Sequence, residues 1–463
     1  MTKKRDEMKA LVIDLGSSFV KSAILDLENG KLLSQKKTIS SSKRRYDDKL
    51  LFEVPVGSIV DTVKALLDQG TREYGDLTSL LLSTQMHGFV YRTGQTPEPV
   101  YVSWQDMRCL HQKSPGLTYL GYLQELFSKE DMEDCGVYIK PSLGLCNLYT
   151  MLEENPGLDR NGTLYTLGSY VIEQLTGNNI CHITNAAPLG LVDVRRRRWS
   201  EKILRKAGFE GIRLPQLAPS DFASCGSCTV NGRTVSVYPD YGDQQIAVLG
   251  SMPEPGDGLI NIATAGQVSM VSDVFEPGEY EIRPYFEGRV LRTISNMPSG
   301  RGLDVLVRFI TGGTKLLTGA EVSVGEFWSA FERQFVEDSQ GIAVDMSFYP
   351  TPQKLDGGEI RGITQNNLNV NTLFSAAFRD MAETYWENLG TLAGSQTLER
   401  VVCSGGVSWK RPELIRMIGR VTGLPCRLSA LDDEAMAGLY RMALCCSGIC
   451  RGLDDKREMI LRL

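Results

Sequence analysis

The stretch "DLGSSFVK" ends an apolar run with Asp14, Gly16, Ser17, Ser18 and, slightly further on, Lys21. Glycine lets the backbone bend tightly, and consecutive N–H groups in such a bend bind anions. The serine hydroxyls add donors. An aspartate at a strand end can order a hydrated Mg²⁺, and Lys21 can fold back toward phosphates. Taken alone, the segment is equally a hairpin with a polar tip. A second bend of the same make occurs in "NIATAGQ", with Thr264 and Gly266. Two such bends facing each other would hold a triphosphate from both sides. The Gly405-Gly406 turn of "RVVCSGG" adds a flat backbone surface suited to an adenine. No G-x-x-x-x-G-K-[ST] is present, so a Walker-type phosphate loop is excluded.

Between the bends lies "DYGDQQIAVLG". Asp243 opens a small-residue helix there, either as a simple N-terminal cap or as a general base. Transfer of a phosphoryl group to a hydroxyl asks little covalent chemistry of a protein. One carboxylate that accepts the proton, a metal ion and backbone dipoles suffice. A further group of polar side chains follows expected strand ends in "STQMHGFVY" and "VSWQDMRCL": Gln85, His87, Trp104, Asp106 and Arg108. Amide, carboxylate, guanidinium and a broad aromatic face together suit a polyhydroxylated ligand. Gln244, beside Asp243, joins this candidate substrate-binding set.

The elements that must position these residues are readable in outline. "LVID", "VKSAILDL" and "GKLLSQKKTI" form a three-strand meander, its second turn marked by Asn29-Gly30. Val56, Ile59, Val60, Val63, Leu66 and Leu67 recur at helical spacing, with Gly70 as the expected stop. "LTSLLLST" reads as a buried strand. Strands and helices alternate from there, which argues for α/β layers. A Pro/Gly-rich stretch at 253–258 reads as a linker, and the strand–turn–strand pattern restarts after it. In "RPELIRMIGRVTG", Leu414, Ile415, Ile418 and Val421 share a helical face, and "DDEAMAGLYRMALCC" is a small-residue helix suited to close packing. The expected domains are 1–249 and 250–463.

The chain has 463 residues, 42% hydrophobic and 23% charged, with net charge −6. This is a soluble globular composition that disfavours a nucleic-acid or anionic-membrane partner. The run Arg195–Arg198 is expected to be a solvated turn. The 11 cysteines are odd in number and irregular in spacing, and the charged N-terminus lacks an apolar leader, so a reducing cytoplasmic setting is expected. Cys225 and Cys228 form a lone C-x-x-C, and with three histidines a zinc site is not expected. No apolar run approaches the roughly 20 residues of a membrane span. A monomer or homodimer is expected.

Together these motifs resemble the FGGY carbohydrate kinases, over about residues 9–447. "DLGSSFVK" is similar to the family's first phosphate motif, "QMHG" to a sugar-binding turn, and "GDQQ" to the segment with the catalytic aspartate. "NIATAGQ" is similar to the second phosphate hairpin, and "SGGVSWKRPELIRMIGRVTGLP" to the adenosine-binding turn. "VSWQDMRC" and "IRPYFEGRVLRTISNMPSG" resemble sedoheptulokinase-like members. The resemblance implies an α/β fold of two actin/Hsp70/hexokinase-like (ribonuclease H-like) domains with a cleft between them. It implies ATP and Mg²⁺ as cofactors, Asp243 as base, and Asp14 and Asp243 at the metal, partly through water. It implies phosphorylation of a primary ketose hydroxyl, sedoheptulose first, with xylulose or ribulose as rivals. A non-catalytic nucleotide-responsive protein of the same superfold is the alternative from another class, but it has no use for "QMHG" and "WQDMR". The chain departs from many members in "SLGLCNLYTMLEENP", which lacks a Thr-Lys pair, and in "NMPSGRGLDVLVRF", where a second family signature is not readable.

Overall fold

The structure is a computed structural model describing residues 8–96, 98–350 and 357–455. Residues 1–7, most of the N-terminal run read above as lacking a leader, lie outside these. The unbroken apolar run at 10–13 becomes the central strand β1 (Lys9–Leu15), buried on both faces. β2 (Phe19–Asp26) and β3 (Lys31–Ile39) complete the expected meander, turning at Gly30 with φ +62°. Helix α1 (Val56–Glu73) presents Ile59, Val60, Val63 and Leu67 inward. It does not stop at Gly70. A side chain there would come within 3.3 Å of Leu77 and Ile24, so this glycine serves close packing against the sheet, not termination. β4 (Leu77–Thr84) runs parallel to β1. The hairpin β5 (Gly226–Val230) and β6 (Arg233–Gly242) adds the other edge, and α2 (Asp243–Gly250) follows directly. The sheet order is β5-β6-β4-β1-β2-β3.

The second half repeats this logic. β7 (Asp257–Ile262) pairs antiparallel with β8 (Gly266–Ser272). The linker is shorter than expected, because Asp257 and Gly258 already pair with Arg400 and Val401. β9 (Glu281–Pro284) and β10 (Val290–Met297) extend the meander. Helices α3 (Gly300–Thr318), α4 (Val324–Gln334) and α5 (Val370–Ala393) come next. They are followed by β11 (Arg400–Ser404), α6 (Gly406–Lys410), α7 (Pro412–Thr422), β12 (Cys426–Leu428) and α8 (Glu434–Cys446). The order is β9-β10-β8-β7-β11-β12, with β11 parallel to β7 as β4 is to β1.

The two sheets are joined by a shared core. Tyr241 and Ile246 of the first half pack with Tyr285, Met436 and Leu439 of the second. Side chains at Gly250 and Gly438 would overlap backbone of the facing helix, so α2 and α8 cross in direct contact. Arg195, Arg196 and Arg197 do form a turn and Arg198 starts the short strand after it, with Arg195 and Arg196 paired to Asp134 and Arg196 also to Asp193. Cys225 and Cys228 sit at the β5–β6 hairpin, unbonded, and no cluster of three metal-ligating side chains occurs among the described residues. No helix among these residues is long and apolar enough to cross a membrane.

Candidate active site

The ends of β1 and β7 open into one cleft of about 480 Å³, lined from both halves. Asp14 stands at the end of β1, opposite Lys21 on β2 and Ser83 on β4. Burial pushes its carboxyl up to about 7. The negative Asp243 adds to the rise, while Lys21 and the Ser83 hydroxyl oppose it. Asp243 is the first residue of α2, which has no side-chain cap. Its Oδ1 instead accepts from its neighbour's backbone, Gln244 N, at 2.8 Å. Burial raises this carboxyl to about 6, against the pull of that N–H and of the Arg283 cation. A Cβ on Gly242 would lie 2.5 Å from Gln245 Oε1 and 2.7 Å from Met86 Sδ, so a side chain there would have to displace both, and the Gly242 N–H donates to Thr184 Oγ1 at 3.0 Å. Asp243 is thereby fixed at the cleft from both sides in sequence.

Two carboxylates that resist ionising beside one another suit a divalent cation. The oxygen donors fit a hard ion such as Mg²⁺, which keeps several waters and needs only one or two protein carboxylates.

The first turn presents Gly16 to the cleft and leaves Ser17 and Ser18 exposed at its tip. A Cβ on Gly16 would lie 2.8 Å from Phe19 O, so glycine is required for this bend. Lys21 does not reach into the turn. Its Nζ lies 3.1 Å from Asp433 Oδ2, at the N-cap of α8. In the second turn, Thr264 is exposed and Gly266 is packed against Pro298 O and the Tyr385 ring. A separate cavity of about 840 Å³ lies beside the Gly406 end of the third turn, lined by Gly300, Trp328, Val407 and Arg416. Gly405 adopts φ +85°, and a Cβ there would lie 2.6 Å from Ile262 O.

The expected substrate group divides. His87, Trp104 and Gln244 line the cleft with Asp243. His87 has φ +67°, a conformation a histidine seldom adopts, and Gly88 beside it allows the Tyr101 ring to pack close. The His87 ring is held well below its ordinary pKa by burial, then by the Lys140 and Arg283 cations, so it is neutral. Trp104 is 38% exposed and free to meet a sugar face. Asp106 and Arg108 do not reach the cleft. Arg108 donates from Nε and Nη2 to Asp106, both at 2.8 Å, and to Glu53 at 2.7 Å, while Asp106 Oδ2 also accepts from Phe52 N. Both are buried, and the Asp106 carboxylate and the Nε and Nη2 groups of Arg108 are spent on the fold. Gln85 is buried at a small, distinct cavity under the first turn, with Ser17 and Ser103.

Sequence reasoning missed Glu281 and Arg283, and read Gln267 only as the end of the second phosphate bend. Gln267 lines the cleft and donates to Thr293 Oγ1 at 2.8 Å. Gln244 Nε2 donates to the same hydroxyl at 3.1 Å, tying the start of α2 to the second sheet. Glu281 and Arg283 stand two apart on β9, hence on one face. A Glu-x-Arg pair inside a strand was the available signal.

The FGGY family of carbohydrate kinases, N-terminal domain, matches residues 9–250. Sedoheptulokinase of Mus musculus is 24% identical, over 93% of this chain and 96% of its own length. Among solved structures, Plasmodium falciparum glycerol kinase with ADP superposes with TM-score 0.83 at 16% identity, covering 98% of this chain and 93% of that one. Xylulose kinase of Lactobacillus acidophilus superposes with TM-score 0.81 at 14% identity, covering 96% and 91%. The match from β1 through α2 takes in both cleft carboxylates and more than half of the chain, and on that ground the protein belongs to the FGGY family of carbohydrate kinases, phosphotransferases that act on a sugar hydroxyl.

Proposed function

We propose that the protein transfers the γ-phosphoryl group of ATP to a primary hydroxyl of a ketose, and that sedoheptulose, giving sedoheptulose 7-phosphate, is the preferred acceptor. The observation that carries the reaction is Asp243, a carboxylate held at a helix start inside a cleft bounded by both sheets. A carboxyl raised to about 6 is ionised at neutral pH yet basic enough to take a proton late in the transfer. The hydroxyl oxygen attacks phosphorus, its proton passes to Asp243, and ADP departs. Asp14 and Asp243 would hold Mg²⁺, partly through water, and that ion would neutralise charge on the phosphates when bound.

In this reading, residues 1–249 carry the sugar through His87, Trp104 and Gln244, and residues 250–463 carry most of the nucleotide. The base occupies the cavity beside Gly405-Gly406. The phosphates lie between the two turns, met by Gly16, Ser17 and Ser18 from one side and Thr264 and Gly266 from the other. Closure of the halves excludes water, so the sugar hydroxyl outcompetes it. The choice of a seven-carbon sugar is supported by the end-to-end match with the mouse protein of that name. Steady-state kcat/KM across five-, six- and seven-carbon ketoses tests it. Highest turnover with sedoheptulose is expected, and preference for xylulose or ribulose would overturn the choice of sugar.

A further inference from the structure

We infer that Arg283 is a specificity-determining residue, which binds a substrate hydroxyl jointly with His87. The inference rests on the sugar-kinase reading above. Arg283 belongs to β9, on the opposite half of the molecule from His87, yet it lines the same cleft and is 5% exposed. A guanidinium buried to this degree needs its charge answered and its N–H groups occupied. The charge is answered by Glu281, whose Oε2 accepts from Arg283 Nε at 3.2 Å and Nη2 at 2.7 Å. Lys140 pairs with the same carboxylate from the first half. Nη1 donates to Gln244 Oε1.

These bonds occupy three of the five N–H groups a guanidinium carries. A fourth points toward His87 Nε2 at 3.5 Å, too long for a good hydrogen bond. No protein acceptor is found for the fifth among the described residues. Arg108 likewise spends three N–H groups, on Asp106 and Glu53, but it lies away from the cleft, so position and not hydrogen-bond count sets Arg283 apart. Arg283 is held by Glu281 within its own strand and by Gln244 across the cleft, and it keeps two N–H groups without a well-formed partner at the cleft wall.

His87 completes the pair. Its ring is neutral, so one nitrogen can accept a hydrogen bond, and its Nδ1 is buried with no well-formed partner. An N–H donor and a ring nitrogen 3.5 Å apart can share one oxygen lying about 2.9 Å from each. In the tautomer that carries the ring proton on Nδ1, Nε2 is the acceptor, and the shared oxygen must then accept from Arg283 and donate to His87. A hydroxyl does both; a carbonyl or a phosphate oxygen only accepts. The two residues therefore select for a hydroxyl at one position along the sugar, and they do so only when both halves of the molecule are in place.

A set of acceptor sugars, each lacking one hydroxyl, tests this with wild type, Arg283→Lys and Arg283→Gln. Wild type is expected to reject one deoxy analogue by about 10²-fold or more in kcat/KM. Both variants should lose at least tenfold of that discrimination, through KM and not kcat, with discrimination at the other positions kept. The lysine variant retains a cation for Glu281 and guards against misfolding. A second readout needs no substitution. The chain has three histidines, so the ring ¹⁵N spectrum of wild type is simple. The His87 Nε2 signal should move with the parent sugar and stay put with the rejected analogue. Unchanged discrimination in both variants, or an unmoved His87 signal, in an enzyme that phosphorylates the parent sugar, overturns this inference alone. Absence of any ATP-dependent sugar phosphorylation by wild type sinks the kinase reading and this inference with it.

Discussion

Lys21 donates to Asp433 across 3.1 Å, so the second strand of the first phosphate turn is tied to the N-cap of the last described helix. Neither side chain is more than about a third exposed, at 31% and 22%, so the pair stabilises by about 1 kcal/mol. Lys21 also holds the Asp14 carboxyl down against burial. Lys21→Met should lower Tm modestly and let Asp14 titrate higher. The acid limb of the pH profile of kcat/KM should then move to higher pH. A limb that stays in place would show that Asp14 does not feel this charge.

Asp243→Asn should cut kcat by about 10²–10⁴-fold, the usual worth of a positioned general base. Near-normal turnover with ketoses would remove Asp243 from that role. The same change should stabilise the fold at neutral pH. The carboxyl is raised from 3.8 to about 6, so folding favours its protonated form, and its contribution is lost as pH rises through about 6. Asn cannot ionise and escapes that loss. Thermal melts of the two proteins should coincide below about pH 3.8, diverge as pH rises from 3.8 toward 6, and stay apart above that, with Asn the more stable.

Gly405→Ala should destabilise by roughly 1–3 kcal/mol, because φ is +85° and the new methyl would meet Ile262 O. Gly406→Ala is the control: a Cβ there meets nothing within 4 Å, and the residue starts a helix. Its Tm should hold or rise. ATP KM should increase about tenfold in the Gly405 variant, where the turn itself is deformed.

Trp104 and Asp106 are two residues apart and should behave oppositely. Trp104→Ala should leave Tm nearly unchanged and raise sugar KM. Asp106→Ala leaves Arg108 buried with only Glu53, and breaking such a pair costs roughly 3–5 kcal/mol. Melting and saturation curves on both variants separate a ligand contact from a fold contact.

The repeated unit was legible because its signals are local. An apolar run, a small-residue bend and a returning strand can be read along the chain, and the structure places Asp14 and Asn261 at the same register of the two sheets. Asp14 lies opposite Lys21 and Ser83, and Asn261 opposite Gln267 and Ser404. Asp243 was legible for the same reason, as the first residue after a strand and before a helix.

What the sequence alone determined was therefore the strand ends and two acids at them, Asp14 and Asp243, since backbone period and turn chemistry act over a few residues. Which polar side chains face the cleft was decided by tertiary structure. Asp106 and Arg108 look like ligand contacts by type, but pairing with each other and with Glu53 consumes them. Lys21 looks free by spacing, and Asp433, distant in sequence, claims it. Arg283 falls in a stretch the sequence singles out only as a whole, and its place at the cleft follows from the second sheet setting β9 against His87 and Gln244. A charged side chain's role depends on which partners come within a few ångströms, and those partners arrive from strands far apart in the chain.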